Sequence, residues 1–434
     1  MTSIEPPDAA QGPSLGLPAR AAALDLLIAA LARRAGMDEG LTHPSLQALE
    51  PRDRAFARAL VMATLRHLGP IDAALQAKVH KAPPDKVVQI LRLGVAQIFV
   101  LKTPPHAAVT TAVDLTAADR GTAPLKGLVN AVLRGLLREP PDLDQPELMA
   151  PTWLYARWQA GYGPEAARAM AAVIAQEPAT DLSLKDPTQA AELAPTLEAE
   201  VLPGGSLRTA LRGEVSAWPG FAEGGWWVQD AAAAVPARLL DVQPGQTALD
   251  LCAAPGGKTM QLAAAGAQVT ALDKSAGRLK RVSENLARTG LSAEVIAADA
   301  AGWPDRRQFD AVLLDAPCSA TGTFRRHPDV LWAAKPGDIA SLAAVQSRLL
   351  DAAARRVKSG GRLVYCVCSL ELEEGEGQVA AFLIRSRDFT LEPMTPGEGG
   401  APGASLRPDG TLRILPHHRE GGTDGFYIAR LKRA

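Results

Sequence analysis

The sequence has few of the features that a secreted or membrane protein requires. Only 4 of its 434 residues are cysteines, too few for a disulfide framework in a chain of this length. Residues 1–17 are polar, acidic and rich in proline and glycine, and they lack the charged and apolar regions of a signal peptide. No apolar run is long enough to cross a bilayer. These absences predict reduced thiols and a cytoplasmic protein.

Net charge is also nearly absent. The formal value of −1 for the whole chain indicates no particular partner. The charge is uneven, however, because residues 51–140 contain 13 lysines and arginines against 6 aspartates and glutamates, a net +7. A basic region in a neutral chain is typical of polyanion binding, although solvated helix faces would produce the same composition.

The length and the hydrophobic patterns indicate several domains. Residues 1–17 are expected to be a disordered tail. Residues 18–139 have apolar side chains at three- and four-residue spacing and no strand-like alternation, which predicts an all-helical domain. Residues 140–151 are rich in proline and aspartate and are interpreted as a linker.

Two further regions follow the linker. Residues 152–240 begin with a helical pattern and continue with short strands and paired glycines, as in a small α+β subdomain. Trp226 and Trp227 in this region could stack a base, but the preferred interpretation is that they are packing residues. Residues 241–434 alternate strands and helices, which predicts a doubly wound α/β sheet of seven strands. These strands are 247–252, 268–272, 293–297, 310–314, 362–367, 388–392 and 425–431.

Three segments of the α/β region share one pattern, an apolar run that ends in small or polar residues. They are Ala248–Thr259, Phe309–Ser319 and Leu363–Ser369. Such runs predict buried parallel strands, and ligands bind where parallel strands end. We therefore expect a glycine turn, an aspartate and cysteines to meet at one edge of the sheet. The residues concerned are 256–258, 315–318 and 366–369.

The glycine turn after the first of these strands matches no phosphate-binding motif. A Walker A loop requires glycine where this sequence has Cys252, and the dinucleotide fingerprint is absent. The small side chains of residues 253–257 would instead let a ligand lie against backbone amides. Asp273 ends the next strand, where it could accept both ribose hydroxyls, and Asp299 ends the third, where it could accept the adenine amino group. This pattern favours S-adenosylmethionine and disfavours a P-loop ATPase.

The segment Asp315–Ser319 indicates which atom receives the methyl group. Enzymes that methylate an exocyclic amine of a base often have an aromatic residue here, and this sequence has a thiol, Cys318. Carbon 5 of cytosine is a poor nucleophile, but a thiolate added to carbon 6 creates an enamine whose carbon 5 can attack a methyl sulfonium. The chemistry requires a nucleophilic cysteine, a carboxyl group near ring nitrogen 3 and a second group for elimination.

On these motifs the chain resembles the NOL/NOP/Sun family of RNA cytosine-C5 methyltransferases. The matching segments are Leu251-Cys-Ala-Ala-Pro-Gly-Gly-Lys-Thr259, Asp315-Ala-Pro-Cys-Ser319 and Tyr365-Cys-Val-Cys-Ser369. The helical region is similar to the NusB-type RNA-binding fold at Arg52–Arg58, Leu91–Gln97 and Lys126–Arg134. The resemblance extends over residues 18–434, and it is to the bacterial Sun/Fmu-type branch, which acts on small-subunit ribosomal RNA.

The resemblance implies a role for each candidate residue. Cys368 would be the nucleophile, Cys318 would assist elimination, Asp315 would engage the cytosine ring and Lys258 would lie close by. Spacing alone does not distinguish Cys368 from Cys366, because alternate residues of a strand share a face. The family pattern selects Cys368, and Cys366 is interpreted as a buried small hydrophobic residue. The residues implied to surround S-adenosylmethionine are Cys252, Ala253, Ala254, Pro255, Gly256, Gly257, Lys258, Asp273, Asp299 and Asp315.

Three segments outside these motifs concern the substrate or have no assigned role. The family often has Leu-Arg-Val-Asn where this chain has Leu182–Lys185, so a substrate-facing arginine is not expected there. Asp424–Phe426 matches the family without an assigned chemistry. Residues 319–362 contain 8 basic and 3 acidic residues, a net +5, and Arg325 and Arg326 in this stretch are predicted to contact an RNA backbone.

The sequence thus predicts an S-adenosylmethionine-dependent enzyme that methylates carbon 5 of a cytosine in small-subunit (16S) ribosomal RNA. The target base must be unstacked, which favours a loop cytosine. Two alternatives stay open: the same chemistry on transfer RNA, and an RNA-binding ribosome assembly factor with an inactive methyltransferase domain. The protein is expected to be a monomer, without a metal site or membrane contact.

Overall fold

The computed structural model describes residues 16–32 and 43–434. The tail predicted for residues 1–17 therefore lies outside the described residues, apart from its last two positions. Within the described ranges no helix is both long and apolar enough to span a bilayer. The chain divides into two compact units, residues up to 155 with 331–333, and residues 156–330 with 334–434.

The first unit is helical, as the fold class predicted. Proline is the first residue of three of its helices. An N–H group at that position has no acceptor within the helix, so its absence from proline removes no hydrogen bond. The apolar faces pack into one core around fully buried leucines such as Leu27, Leu60 and Leu133. The elements are α1 (Leu17–Ala32), α2 (Pro44–Gln47), α3 (Pro51–Arg66), α4 (Leu68–Gln76), α5 (Asp85–Val95), a π-helical turn (Ala96–Val100), α6 (Pro105–Ala117) and α7 (Lys126–Arg138).

A small antiparallel sheet begins the second unit. The predicted linker, 140–151, contains one 3-10 turn (Pro146–Leu148) and precedes α8 (Thr152–Tyr162) and α9 (Pro164–Ile174). The sheet has the strand order β2-β3-β1-β4, which confirms the small α+β part of the predicted fold. Its elements, with the helix that follows them, are β1 (Thr180–Leu184), α10 (Ala190–Leu193), β2 (Ala199–Val201), β3 (Leu207–Thr209), β4 (Trp226–Val228) and α11 (Ala231–Leu240).

The paired tryptophans of β4 are packing residues, as predicted. Trp226 is fully buried and Trp227 is 3% exposed. The indole N–H of Trp226 donates to the Pro219 carbonyl at 2.8 Å, and its ring lies 5.5 Å from the Phe221 ring in an edge-on arrangement. The indole of Trp226 is therefore not free to stack on a base, whereas Trp227 borders the cavity described below.

The large sheet closely follows the predicted strands, with one addition. Its elements are β5 (Thr247–Leu251), α12 (Gly257–Ala264), β6 (Gln268–Asp273), α13 (Ala276–Thr289), β7 (Glu294–Ala297), β8 (Phe309–Asp315), α14 (Asp329–Ala333), α15 (Pro336–Ala354), β9 (Val357–Val367), α16 (Glu376–Arg385), β10 (Phe389–Leu391), β11 (Leu412–Ile414) and β12 (Phe426–Arg433). In the described chain the sheet has eight strands, in the order β10-β12-β9-β8-β5-β6-β7, with β11 paired to β12. The predicted number of seven was therefore wrong by β11, a three-residue strand that lies off the main strand order and pairs with β12.

Strand register places the three sequence motifs at one edge of this sheet. β5, β6, β7, β8 and β9 pair in parallel, with Leu251 opposite Leu314 and Asp315 opposite Cys366. The carboxyl ends of these strands therefore lie side by side. β12 runs antiparallel to β9, with Tyr427 opposite Val367, so the residues just before β12 reach the same edge.

The burial of Trp226 generates a prediction about stability. We expect Trp226→Ala to lower the free energy of unfolding by about 3–5 kcal/mol, because it removes a fully buried aromatic side chain and leaves a cavity. Urea denaturation followed by circular dichroism would measure the change. Val228→Ala, at the exposed end of the same strand, should change it by less than about 0.5 kcal/mol. Weaker RNA binding with unchanged stability would contradict the packing role.

Candidate active site

The ends of β5, β8 and β9 border a cavity of about 440 Å³. Many of the predicted site residues line this cavity. They are Cys252, Ala253, Ala254, Pro255, Gly257, Lys258, Asp315, Arg326 and Cys368. Gly256, Asp273, Asp299, Cys318 and Arg325 are not among the lining residues, and the position of each is described below.

The glycine turn is built to approach a ligand closely. Cys252 and Gly256 both have positive φ values, 62° and 106°, and Gly256 precedes the first residue of α12. A Cβ atom added at Gly256 would lie 3.2 Å from a methyl carbon of Val282, and one at Gly257 would lie 3.1 Å from the side chain of Gln229. Side chains are therefore excluded from this part of the turn, which leaves backbone on the cavity side.

Asp273 holds the glycine turn through a hydrogen bond to its backbone. It is 2% exposed; one carboxylate oxygen accepts the Ala254 N–H at 3.2 Å and the other accepts the Ser275 N–H at 2.9 Å. Asp299 is exposed and accepts the Ala301 N–H at 3.0 Å. The structure thus places Asp273 against the turn and Asp299 on the surface, and their contacts with ribose and adenine stay predictions.

An ion pair joins the turn to the end of β8. Lys258 Nζ donates to Asp315 Oδ2 at 2.8 Å, and the Phe426 ring centroid lies 5.4 Å from the same nitrogen. Burial opposes the charge on Lys258, but attraction to Asp315 outweighs it and raises the pKa of Lys258 above its usual value. Lys258 therefore remains an ammonium group beside the Asp315 carboxylate.

Two thiols lie in contact next to this ion pair. Cys318 Sγ and Cys368 Sγ are 3.5 Å apart. The hydrogen bond to Cys368, burial and nearby negative charge raise the pKa of Cys318 well above that of a free thiol. Cys318 is therefore a protonated thiol in this arrangement. Cys366 is fully buried in the core under the sheet, as predicted, with its Sγ 3.5 Å from Asp315 Oδ1.

The two arginines predicted to bind RNA differ sharply. Arg325 is 1% exposed, and its guanidinium donates to the buried Asp230 carboxylate at 2.6 Å. The predicted RNA contact of Arg325 was wrong, because the side chain is directed into the protein and neutralises an internal charge. Arg326 lines the cavity, where Asp424 accepts from its Nε at 3.0 Å. Its contact with RNA stays a prediction.

Sequence reasoning missed three residues at the site. Asp250 lines the cavity, and its Oδ1 is buried without a hydrogen-bond partner. Arg278 also lines it and donates to the Ala254 carbonyl at 2.6 Å. Glu374 is fully buried among the residues that follow the two cysteines. A carboxylate inside the apolar strand Thr247–Leu251 was a usable signal for Asp250, whereas Glu374 is one of several acids in an acidic stretch.

Asp250 should make stability depend on pH. Burial raises the pKa of Asp250 to about 7, so between about pH 4 and pH 7 the folded state binds a proton that the unfolded state has lost. The free energy of unfolding therefore decreases across this range as pH rises. We expect Asp250→Asn to flatten that decrease in urea titrations at several pH values. A constant difference between wild type and variant at every pH would contradict this assignment.

The buried pair between Arg325 and Asp230 leads to a second prediction. We expect Arg325→Ala to reduce the free energy of unfolding by about 3–5 kcal/mol, because it leaves Asp230 as an uncompensated buried charge. Thermal or urea denaturation would measure this. Arg307→Ala, at an exposed ion pair, is the matched control and should have an effect within about 1 kcal/mol. A stable Arg325→Ala protein with weakened RNA binding would restore the original prediction.

Comparison with known proteins identifies both parts of the chain. Residues 237–432 match the family described as 16S rRNA methyltransferase RsmB/F, and residues 17–138 match the NusB family. The ribosomal RNA small subunit methyltransferase B of Pseudomonas syringae pv. tomato is 38% identical over 95% of this chain and 96% of its own length. That of Xanthomonas campestris pv. campestris is 36% identical over 98% and 99%.

A solved structure has the same fold. The crystal structure of a protein named PH0851 superposes with a TM-score of 0.78 at 25% identity, covering 96% of this chain and 99% of that one. The resemblance inferred from the three motifs and from the helical region is therefore confirmed. The chain belongs to the RsmB/F family of 16S rRNA methyltransferases and includes a NusB-family helical domain.

Proposed function

We propose that this protein methylates carbon 5 of a cytosine in 16S ribosomal RNA, with S-adenosylmethionine as methyl donor and Cys368 as nucleophile. The observation that carries the proposal is the pair of thiols, 3.5 Å apart, beside the ion pair of Lys258 and Asp315. A methyltransferase acting on an exocyclic amine would need neither thiol. The names of the relatives from Pseudomonas and Xanthomonas support ribosomal RNA as the substrate class.

The cavity suits the methyl donor on chemical grounds. Asp250 presents a buried carboxylate oxygen without a hydrogen-bond partner, and the ammonium group of S-adenosylmethionine would provide the missing donor. The backbone of residues 252–257 and the support of Asp273 would hold the rest of the molecule. When bound, the donor supplies an electrophilic methyl group. These proposed roles are supported by the position of the residues at the cavity and by the hydrogen-bonding groups that they carry.

The chain's own groups can then carry the remaining steps. The Cys368 thiolate forms a bond to carbon 6 of cytosine, and the electron pair of the carbon 5–carbon 6 bond shifts towards ring nitrogen 3. A proton shared by Lys258 and Asp315 would neutralise the charge that develops at nitrogen 3. Carbon 5 takes up the methyl group, with S-adenosylhomocysteine as the leaving group, and nitrogen 3 returns its proton to the pair of Lys258 and Asp315. Carbon 5 then loses its own proton to a base. The bond between Cys368 Sγ and carbon 6 breaks, and the thiolate leaves.

Cys318 would act at this last stage. Its position next to Cys368 would allow it, once its own proton has passed to solvent, to accept the proton of carbon 5 directly or through water, so that elimination can follow. The raised pKa of Cys318 makes its thiolate a strong base once formed. The alternative of an inactive assembly factor is less favoured, because decay would not preserve both thiols in contact beside an ion pair.

Cellular location, oligomeric state and domain limits belong to this proposal as predictions. The protein is proposed to act as a cytoplasmic monomer on an unstacked cytosine. Residues 18–139 are proposed to bind RNA through their basic side chains, and residues 152–240 to form a separate subdomain before the methyltransferase domain at 241–434. Transfer RNA is the alternative substrate against which 16S RNA would be tested.

A covalent-complex experiment tests the chemistry. We expect Cys318→Ala to remain attached to RNA after incubation with S-adenosylmethionine and unmethylated small-subunit RNA, because attack proceeds and elimination stalls. The complex would be a slower band on a denaturing protein gel. It should be absent from Cys318→Ala/Cys368→Ala and present in Cys318→Ala/Cys366→Ala.

Each of the other possible results would show which part of the proposal is wrong. Normal methyl transfer by Cys318→Ala without a band would mean that Cys318 is not the release group. A band that persists without Cys368 but disappears without Cys366 would exchange the roles of those two cysteines. No transfer by the wild type to 16S RNA, with transfer to transfer RNA, would change the substrate.

A further inference from the structure

Glu374 connects the two segments that carry the thiols. It is fully buried and lies six residues after Cys368, just before α16. Its carboxylate contacts Ser319, which follows Cys318, and Ser369, which follows Cys368. No role in methyl transfer has been assigned above to this carboxylate.

Each oxygen of the carboxylate has its own set of donors. Oε1 accepts the backbone N–H of Ser319 at 2.9 Å and the side-chain amide of Gln346 at 3.0 Å. Oε2 accepts the hydroxyl of Ser319 and that of Ser369 at 2.5 Å. An ionised carboxylate is an acceptor only, so these four donors satisfy the charged form of Glu374.

Further bonds make the cluster stiff. The hydroxyls of Ser319 and Ser369 are 2.9 Å apart, and Ser369 also accepts the Glu371 N–H at 3.0 Å. The Tyr365 hydroxyl donates to the Glu374 carbonyl at 2.6 Å, which anchors the backbone of Glu374 to β9. The carboxylate is therefore held by the strand that ends just before Cys368, and it holds the loop that bears Cys318.

Stability alone is a poor explanation for such a group. Removing a carboxylate from water costs several kcal/mol, and a buried charge with partners is often no more stabilising than apolar residues of the same volume. A buried charge with four directed hydrogen bonds does, however, fix its donors in a single arrangement. In this cluster that geometry joins two segments about fifty residues apart in sequence, and the residue before each bonded serine is a cysteine.

We propose that Glu374 is a positioning residue that sets the distance between the Cys318 and Cys368 thiols by bonding to the serine after each cysteine. The inference rests on the proposed function for its catalytic consequence, since Cys368 attacks and Cys318 then acts at release on the same bound base. Without the carboxylate, the loop of Cys318 would lose its bonds to the β9 side, and the two sulfur atoms would separate.

The charge of Glu374 also acts on Cys318. It is one of the causes that raise the pKa of Cys318, after the hydrogen bond to Cys368, burial and the charge of Cys368. A negative charge beside the Cys318 loop opposes ionisation of Cys318 before attack. Glu374 thus supports the assignment of Cys318 to release rather than to nucleophilic attack.

The test measures thiol geometry and catalysis separately in Glu374→Gln. The glutamine keeps the size of the side chain but replaces one acceptor oxygen with an NH₂ donor. Phenylarsine oxide, which bridges two thiols in close contact, is the geometric probe and needs no RNA. We expect its bridging rate, followed by mass spectrometry, to fall about tenfold or more, as for the loss of a charge-assisted hydrogen bond. In the RNA assay Glu374→Gln should accumulate part of the covalent complex seen with Cys318→Ala.

Glu373→Gln is the matched control, because Glu373 is the adjacent acid, 52% exposed and paired with Arg157. Binding of S-adenosylhomocysteine, measured by calorimetry, checks that each variant is folded. Ser369→Ala is a milder second variant that removes one donor and keeps the charge; it should move both readouts in the same direction by a smaller factor. It decides the question if Glu374→Gln does not fold.

Bridging rates and covalent-complex levels equal to those of Glu373→Gln would overturn the positioning role. A fall in methyl transfer without any change in bridging rate would also overturn it, since the effect would then not act through the thiol distance. If Cys318→Ala transfers methyl groups but forms no covalent complex, the release role of Cys318 fails; if the wild type transfers none, the proposed function itself fails. The arsenical measurement would still confirm or reject the role of Glu374 in placing the thiols.

Discussion

Parallel pairing of β5, β8 and β9 is the constraint on which the active site depends. Each strand contributes one chemical group at its carboxyl end, and backbone hydrogen bonds hold those ends in register. A slip of one residue would turn the side chains of a strand to the opposite face. Asp315 would then leave Lys258, and the pairing of Asp315 with Cys366 would be lost. Buried apolar residues on both faces of the sheet, such as Val312 and Val364, make that slip unfavourable.

Charged side chains near this edge of the sheet lie in three different environments. Asp230 and Arg325 lie fully inside, Lys258 and Asp315 lie at the cavity, and Glu374 is enclosed by neutral donors. Because each charge has a fixed partner, the electrostatic environment of the two thiols changes little until a ligand enters. Such preorganised charge is effective in catalysis, since no reorganisation is needed when charge develops on the substrate.

The sequence predicted the fold well and the site in part, and the reason lies in the range of the interactions. Strand ends and the helices between them are local patterns, so β5 and β8 were located to within one residue at each end. The carboxyl end of β9 was also located correctly, although this strand begins five residues earlier than predicted. Arg325 was assigned wrongly because its partner, Asp230, is 95 residues away in the chain. Glu374 was missed for the same reason: its contact with Ser319 spans 55 residues.

The position of β12 has a consequence for biosynthesis. This strand lies between β9 and β10, although it is translated after both of them. Asp424 and Phe426, just before and at the start of β12, contact Arg326 and Lys258. While this segment is still inside the ribosome, the sheet of the nascent chain has a gap beside β9, and its active site is open on one side. The sheet and this side of the active site are therefore completed only after the segment of β12 has left the exit tunnel.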